Sequence, residues 1–294
     1  MNEEAAHPGA DDANGILLLS CPDRPGIVRA VAELIFRYGG NIVHAEQHTD
    51  TEASVFLQRV EFGLDGFGLS REELRGVVEE LGAQFGMQAT VRFSDERCRV
   101  ALLASREPHC LYDLLARWRG AELSAEVAMV LSNHPDHAAT AEHFDVPYHH
   151  LPTEPGGRDA QEAAMLNLLA SERVDLLVLA RYMQILSPAV IAAYPHRIIN
   201  IHHSFLPAFV GARPYHQAHA RGVKLVGVTA HYATDDLDQG PIIAQDVVHV
   251  SHRDDVADLI RRGRDLEKSV LAEAVLAHLE HRILVYGNKT VVFT

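Results

Sequence analysis

Three stretches of this chain are apolar from end to end: residues 100–104 (VALLA), 127–131 (VAMVL) and 176–180 (LLVLA). A fourth, 198–201 (IINI), is broken only by Asn200. A strand with one face in water alternates apolar and polar side chains, because successive side chains point to opposite faces. Strands without that alternation are buried on both faces, the signature of a mainly parallel sheet sandwiched between helices. Helical apolar spacing at 111–118, 138–144 and 161–170 supplies such helices. In sheets of this kind ligands bind beyond the carboxyl ends of the strands. That rule singles out Ser105, Ser132-Asn133-His134, Arg181-Tyr182 and above all Asn200 to His203.

The chain before residue 98 follows a different grammar. Residues 16–20 read as an apolar strand and Cys21-Pro22-Asp23-Arg24-Pro25-Gly26 as a turn. Ile27, Val31, Leu34 and Ile35 make a helical stripe that ends at Gly39-Gly40. Two strands follow, at 42–47 and 55–62, then a helix marked by Leu74, Val77, Val78 and Leu81, then a closing strand at 89–93. The order βαββαβ predicts a ferredoxin-like domain over 16–93, after a disordered tail over 1–15. Residues 94–97 form the expected linker, and 98–294 a Rossmann-like, mainly parallel α/β domain. Residues 256–281 predict a long amphipathic helix, and 283–293 a C-terminal hairpin turning at Gly287-Asn288. No internal repeat is visible.

Length and charge agree with this division. The 294 residues suit two domains. With 26 basic and 40 acidic residues the formal charge is 26 − 40 = −14, which disfavours nucleic acid as a partner. No apolar run approaches the ~20 residues of a membrane span, and residues 1–14 lack a basic-then-apolar signal sequence. The 3 cysteines, Cys21, Cys98 and Cys110, are too far apart for a disulfide framework or a zinc knuckle, so a reducing cytoplasm is expected. The histidines, 19 in all, are dispersed, and no metal is expected. His216 and His219 have helix-face spacing but no evident third ligand.

Chemistry concentrates in two clusters. In Asn200-Ile201-His202-His203-Ser204-Phe205-Leu206-Pro207, Asn200 and His202 lie two apart and share one strand face. An amide that donates to a developing oxyanion beside an imidazole that moves protons suits acyl chemistry. The same groups also serve simply to satisfy loop backbone. In His231-Tyr232-Ala233-Thr234-Asp235-Asp236-Leu237-Asp238-Gln239-Gly240-Pro241, the Gly-Pro fixes the backbone behind Asp238, although three carboxylates in one loop also suit a solvated turn. Cys110, at a helix start, is either a reactive thiolate or an inert buried thiol. No Gly-x-Gly-x-x-Gly, Gly-x-Ser-x-Gly or phosphate-loop Gly-Lys-Ser/Thr occurs, which disfavours a dinucleotide site, a hydrolase serine and a nucleotide loop.

Together the two clusters resemble the catalytic domain of the formyltransferase family, with its Asn-Ile-His strand end, Ser-x-Leu-Pro loop and Leu-Asp-x-Gly-Pro loop. The resemblance implies that Asn200, His202 and Asp238 are catalytic, and that His231 lies beside them. Ala180-Arg181-Tyr182-Met183-Gln184-Ile185-Leu186-Ser187 is similar to the family's folate-pocket segment, which makes Met183, Gln184 and Leu186 substrate-binding residues. The nearest branch is that of the formyltetrahydrofolate deformylases. Its marks are His203, the stretch from Ala208 through Arg213 to Ala218, Ser132-Asn133-His134-Pro135-Asp136, Gly287-Asn288-Lys289-Thr290, and an N-terminal segment Ser20 to Val28 that resembles an ACT domain. The likeness runs over about 16–293. It departs at 152–160, which is Gly-rich here, and at Tyr112, where a smaller residue is usual.

What the resemblance implies is hydrolysis of 10-formyltetrahydrofolate by water to formate and tetrahydrofolate, feeding one-carbon and purine metabolism. It implies no cofactor beyond the folate substrate and no metal. The βαββαβ unit leaves a sheet face and an edge strand to cover, which predicts a homo-oligomer, and the Arg24-Pro25-Gly26 turn lets backbone approach a small amino-acid effector, although a purely structural dimerisation module fits these residues equally. Two other readings are a formyl transferase acting on an amine and a non-catalytic amino-acid sensor. Against transfer, the position after the second domain's first strand reads Ser105-Arg106-Glu107-Pro108-His109, without the glycine-rich turn that cradles phosphate in transferases using glycinamide ribonucleotide.

Overall fold

The computed structural model describes residues 13–153, 156–208 and 214–294. Residues 1–12 of the expected tail, Glu154 and Pro155 of the Gly-rich segment, and 209–213 of the family-like stretch lie outside the described residues. The chain divides into two compact units.

In the first unit the chain runs β1 (Asn14–Pro22), α1 (Ile27–Arg37), β2 (Ile42–Asp50), β3 (Val55–Gly63), α2 (Arg71–Phe85), β4 (Gln88–Phe93). The antiparallel sheet has the order β2-β3-β1-β4, the expected ferredoxin-like arrangement. Leu17, Leu19, Val60 and Phe62 from the strands pack with Ile27, Val31, Leu74 and Val78 from the helices. Ser70 opens α2 with a capping box closed by Glu73. Asn14 and Gly15, expected in the tail, instead begin β1: Asn14 N–H donates to Ser94 Oγ at 2.8 Å, and Gly15 pairs with Phe62 and Phe93. Asp95 and Glu96, expected in a linker, reach back to Arg71 (2.6 Å) and Arg75 (2.9 Å) on α2.

The second unit runs β5 (Cys98–Ala104), α3 (His109–Arg119), β6 (Ala125–Ser132), α4 (Ala138–His143), β7 (Tyr148–His150), α5 (Arg158–Ser171), β8 (Leu176–Leu179), α6 (Pro188–Ala193), β9 (Ile198–His202), α7 (Pro214–Arg221), β10 (Leu225–Tyr232), β11 (Ile242–His249), α8 (Val256–Leu279). Its sheet has the order β11-β10-β9-β8-β5-β6-β7. β5 to β9 are parallel to one another, as expected, while β10 and β11 add antiparallel pairs. The apolar strands are buried on both faces: Leu103, Leu131, Leu177 and Ile198 are all at 0 % exposure. The chain lays β6 and β7 on one side of β5, then returns to lay β8 and β9 on the other. The carboxyl ends of β5 and β8 therefore diverge at a switch point, where a crevice forms.

After α8 come β12 (Ile283–Tyr286) and β13 (Lys289–Val292), the expected hairpin. Residues 98–294 do not all belong to the second unit, however: Glu280–Gly287 and Val291–Thr294 group with the first. The cause is a buried guanidinium. Arg59 sits on β3 at 5 % exposure and donates to His281 O at 3.1 Å, and Tyr286 donates to Asp50 Oδ2 at 3.1 Å. A buried cation needs acceptors, and the C-terminal carbonyls supply them.

Candidate active site

A cleft of about 640 Å³ opens at the carboxyl ends of β5, β8 and β9. Asn200, His202 and Asp238 all line it, as do His231, Met183, Gln184 and Leu186. Asn200 and His202 come from the last three residues of β9; Asp238 comes from the loop between β10 and β11.

His202 Nδ1 lies 3.1 Å from Asp238 Oδ1, and His231 Nε2 lies 3.7 Å from the same oxygen. A carboxylate only accepts, so the His202 proton faces it on Nδ1. His202 Nε2 is buried and has no hydrogen-bond partner among the described residues. His231 Nδ1 donates to Tyr232 O at 2.9 Å, which leaves Nε2 to accept from Asn200 Nδ2 at 3.2 Å. That contact fixes which way the Asn200 amide points and leaves one of its N–H groups for a ligand. His202, whose Nδ1–H faces the carboxylate, is the main cause that holds the Asp238 carboxyl far below the ordinary aspartate range. Asp238 itself has φ 57°, a left-handed conformation that the loop imposes. Asn288 Nδ2 donates to Gln239 O at 2.9 Å and anchors this loop, which gives the family-like Asn288 a role.

Because its folded pKa is depressed, Asp238 stabilises the fold above the ordinary aspartate pKa, about 4, and loses that contribution as the pH falls toward the folded value. The gap in thermal midpoint between the parent chain and Asp238→Asn is therefore expected to hold constant from about pH 8 to 5 and to shrink below about pH 4. A gap that widened in acid would contradict the pairing.

The apolar half of the cleft is the segment after β8. Met183 and Ile185 are 58 % and 61 % exposed, and Leu237 on the opposite loop is 58 % exposed; all three line the cleft. Exposed apolar side chains gathered on one concavity mark a site for a flat, largely apolar ligand. The segment is held from below. Ser105 Oγ accepts from Met183 N–H at 2.9 Å and donates to Asn133 Oδ1 at 2.7 Å. Glu162 Oε1 accepts from Ser187 N–H at 3.0 Å.

A buried polar cluster in the same cleft escaped the sequence reading. Glu267 on α8 is 1 % exposed; it accepts from His109 Nε2 at 2.7 Å and from Tyr215 Oη at 2.8 Å, and lies 3.4 Å from Arg181 Nε. Arg181 Nη1 donates to His203 Nδ1 at 2.7 Å. A signal for it exists: Glu267 falls on the buried stripe of α8 with Leu259, Gly263, Val270, Leu271 and Ala274, where a charge is out of place. His109, Cys110 and Glu267 bring ligand atoms within 4.8 Å of one another. The set does not fit a cation: Glu267 already holds the Arg181 guanidinium, and burial pushes the Cys110 thiol up, so this cysteine is inert.

Of the other expected positions, His216 also lines this cleft, whereas Arg24 and Gly26 of the expected effector turn do not. Gly26 adopts φ 98° at the start of α1, as its turn requires. Arg24 is engaged within its own unit, stacked over Phe85 at 4.6 Å and donating to Gln84 O at 3.2 Å. Tyr112 packs edge-on against Phe144.

A family model for formyl transferase matches residues 98–275, and one for the ACT domain matches 15–82. A formyltetrahydrofolate deformylase of Synechocystis sp. is 56 % identical over 277 residues, 94 % of this chain and 97 % of that one. The crystal structure of a formyltetrahydrofolate deformylase from Pseudomonas syringae pv. tomato superposes with a TM-score of 0.95 at 46 % identity, covering 98 % of this chain and 96 % of the other. Glycinamide ribonucleotide transformylase 1 from Symbiobacterium toebii shares 33 % identity with a TM-score of 0.64, over 67 % of this chain and 95 % of its own. The chain belongs to the formyl transferase family, in the formyltetrahydrofolate deformylase branch that carries an N-terminal ACT domain.

Proposed function

We propose that the chain hydrolyses 10-formyltetrahydrofolate to formate and tetrahydrofolate, in the cytoplasm, and so feeds one-carbon and purine metabolism. The observation that carries this reading is the His202–Asp238 pair at 3.1 Å, with the free N–H of Asn200 on the same strand face. The folate ring lies on Met183, Gln184 and Leu186, and its formyl group reaches the triad. Water attacks the formyl carbon, and charge grows on the formyl oxygen. Asn200 Nδ2–H and the His202 imidazolium donate to that oxygen. Asp238 orients the water and, held so far below its usual pKa, is a poor resting place for a proton. The C–N bond breaks, the leaving nitrogen takes the proton from His202, and the proton lost by water restores it. Every role is filled by a side chain, so the reaction needs neither a metal nor a second cofactor.

Water rather than an amine is the acceptor. Glu107 lines the cleft after β5 and is paired with Arg264 at 2.6 Å, and Pro108, without an N–H, opens α3. A phosphate would meet a carboxylate there instead of a cradle of amides. The test is competition: formate release from 10-formyltetrahydrofolate is expected to run at the same rate with or without excess glycinamide ribonucleotide. A formylated amine appearing faster than formate would overturn this reading, and no folate turnover at all would favour the non-catalytic sensor.

The ACT unit supports self-association: β2 is an edge strand, with Ile42 and Val43 exposed by 38 % and 54 %. Light scattering is expected to give a homo-oligomer, and a monomer at all concentrations would refute it. A small amino acid as effector is the accompanying proposal, with its contact at Gly26, since Arg24 is already engaged.

A further inference from the structure

Next to the paired His202 stands a second imidazole for which the mechanism above has no use. The rings of His202 and His203 are stacked, 5.1 Å between centroids at 20°. Both line the cleft. Two stacked imidazoles compete for one positive charge, because like charges at this distance disfavour each other's protonated form.

We propose that Arg181, itself held by the buried Glu267, locks His203 as a neutral imidazole with its proton on Nε2, so that His202 alone in the pair takes up the proton used in the reaction. This rests on the hydrolytic reading above. The geometry carries it. A guanidinium has five donors and no acceptor, so its contact of 2.7 Å with His203 Nδ1 requires an unprotonated Nδ1. An imidazolium has no such nitrogen to offer. The ring is therefore neutral, and its one proton sits on Nε2, on a residue facing the cleft.

Arg181 is suited to this task by its surroundings. It follows β8 in a left-handed conformation, φ 63°, and its side chain is only 14 % exposed. Glu267 supplies the countercharge 3.4 Å from Nε, and is itself fixed by His109 and Tyr215. The groups facing His203 are Arg181 from the segment after β8, His202 from β9, Asp238 from the loop after β10, Glu267 from α8 and the ring of Tyr215 from α7. Burial is the largest influence on His203, followed by Arg181 and His202, and together they bring its pKa down to about 4; the carboxylates Glu267 and Asp238 oppose them without prevailing. His203 is a positioning residue in this account: it keeps its charge off the pair and presents a fixed N–H donor beside the reacting groups.

The test joins a spectroscopic readout to kinetics on the full-length chain. Nitrogen-15 spectra of histidine-labelled protein, with His203 identified by the resonance lost in His203→Gln, are expected to show an unprotonated Nδ1 and a protonated Nε2 from pH 8 down to about 5. In Arg181→Met the His203 ring is expected to titrate at least about one unit higher, and kcat near neutral pH to fall about tenfold as the two rings share the proton. KM for 10-formyltetrahydrofolate should change less than about threefold, and Arg181→Lys, which keeps a donor at Nδ1, should recover part of kcat. A charged His203 at pH 7 in the parent chain, or the Nδ1–H tautomer, would overturn the proposal. So would an Arg181→Met chain with an unchanged His203 titration and an unchanged pH profile. Because the spectra are taken without substrate, they separate the two readings. A parent chain that releases no formate ends the hydrolytic reading and the catalytic half of this one, while the protonation of His203 is still read directly.

Discussion

His202→Ala and Asp238→Asn are each expected to lower kcat for formate release at least about a hundredfold, the usual scale for losing a proton-transfer or oxyanion-stabilising group. The two act through one contact, the 3.1 Å pair of Nδ1 and Oδ1, so the double variant should lose little more than either single one. Asn200→Ala should fall as far by a different route, since its remaining N–H serves the oxyanion and moves no proton. KM for the folate should stay within about threefold in all three, because the segment that grips the ring is held by Ser105 and Glu162, out of reach of the triad. Ser105→Ala is the reciprocal case: it frees Met183 N–H and should raise KM while leaving kcat nearly intact. Steady-state kinetics with a circular-dichroism check on folding decide the matter. A folded His202→Ala or Asp238→Asn chain with near-parental kcat would remove the pair from the chemistry.

The sheet of the second unit was legible because its apolar strands admit no other use: 176–180 carries no polar side chain and the structure buries all of β8. β11 was not legible. It is an edge strand whose exposed and buried residues follow no period of two, and the polar Gln245 and Asp246 interrupt the apolar residues in its middle. The domain boundary at Arg97 and Cys98 showed in the change of grammar, but the return of Glu280–Gly287 to the first unit did not. That return depends on Arg59, whose need for acceptors exists only once β3 has buried it.

The site divides in the same way. Asn200 and His202 could be placed on one face from strand periodicity alone, since they are two residues apart. That Asp238 meets them could not: it lies on another loop, and only the resemblance to a family brought the two clusters together. The Arg181–His203–Glu267 chain was hidden for a related reason. Arg181 and His203 stood out singly at the exits of β8 and β9, but nothing in the sequence joined them, and Glu267, on α8 and far away in the chain, was not singled out at all.

Gly240→Ala is expected to be the most damaging small substitution in the second unit, at about 3 kcal/mol of stability, the upper range for forcing extra volume into a packed site. A Cβ at Gly240 would stand 1.8 Å from Tyr232 O and 2.9 Å from Tyr232 C. Those are backbone atoms of a strand, and Tyr232 N–H is already committed to Pro241 O at 2.9 Å, so neither side can yield without breaking the closure of the loop. Asp238 lies two residues before this contact, and its carboxylate must stay 3.1 Å from His202 Nδ1, so kcat should fall with stability. At roughly 2–4 °C per kcal/mol for a unit of this size, the thermal midpoint should drop by about 6–12 °C. Gly76→Ala is the control: Gly76 lies inside α2, and a Cβ there meets nothing within 4 Å, so the midpoint should hold or rise slightly. A Gly240→Ala chain with the parental midpoint and kcat would mean that the loop reaches Asp238's position by some other path, and that the Gly-Pro behind it is not what fixes the carboxylate.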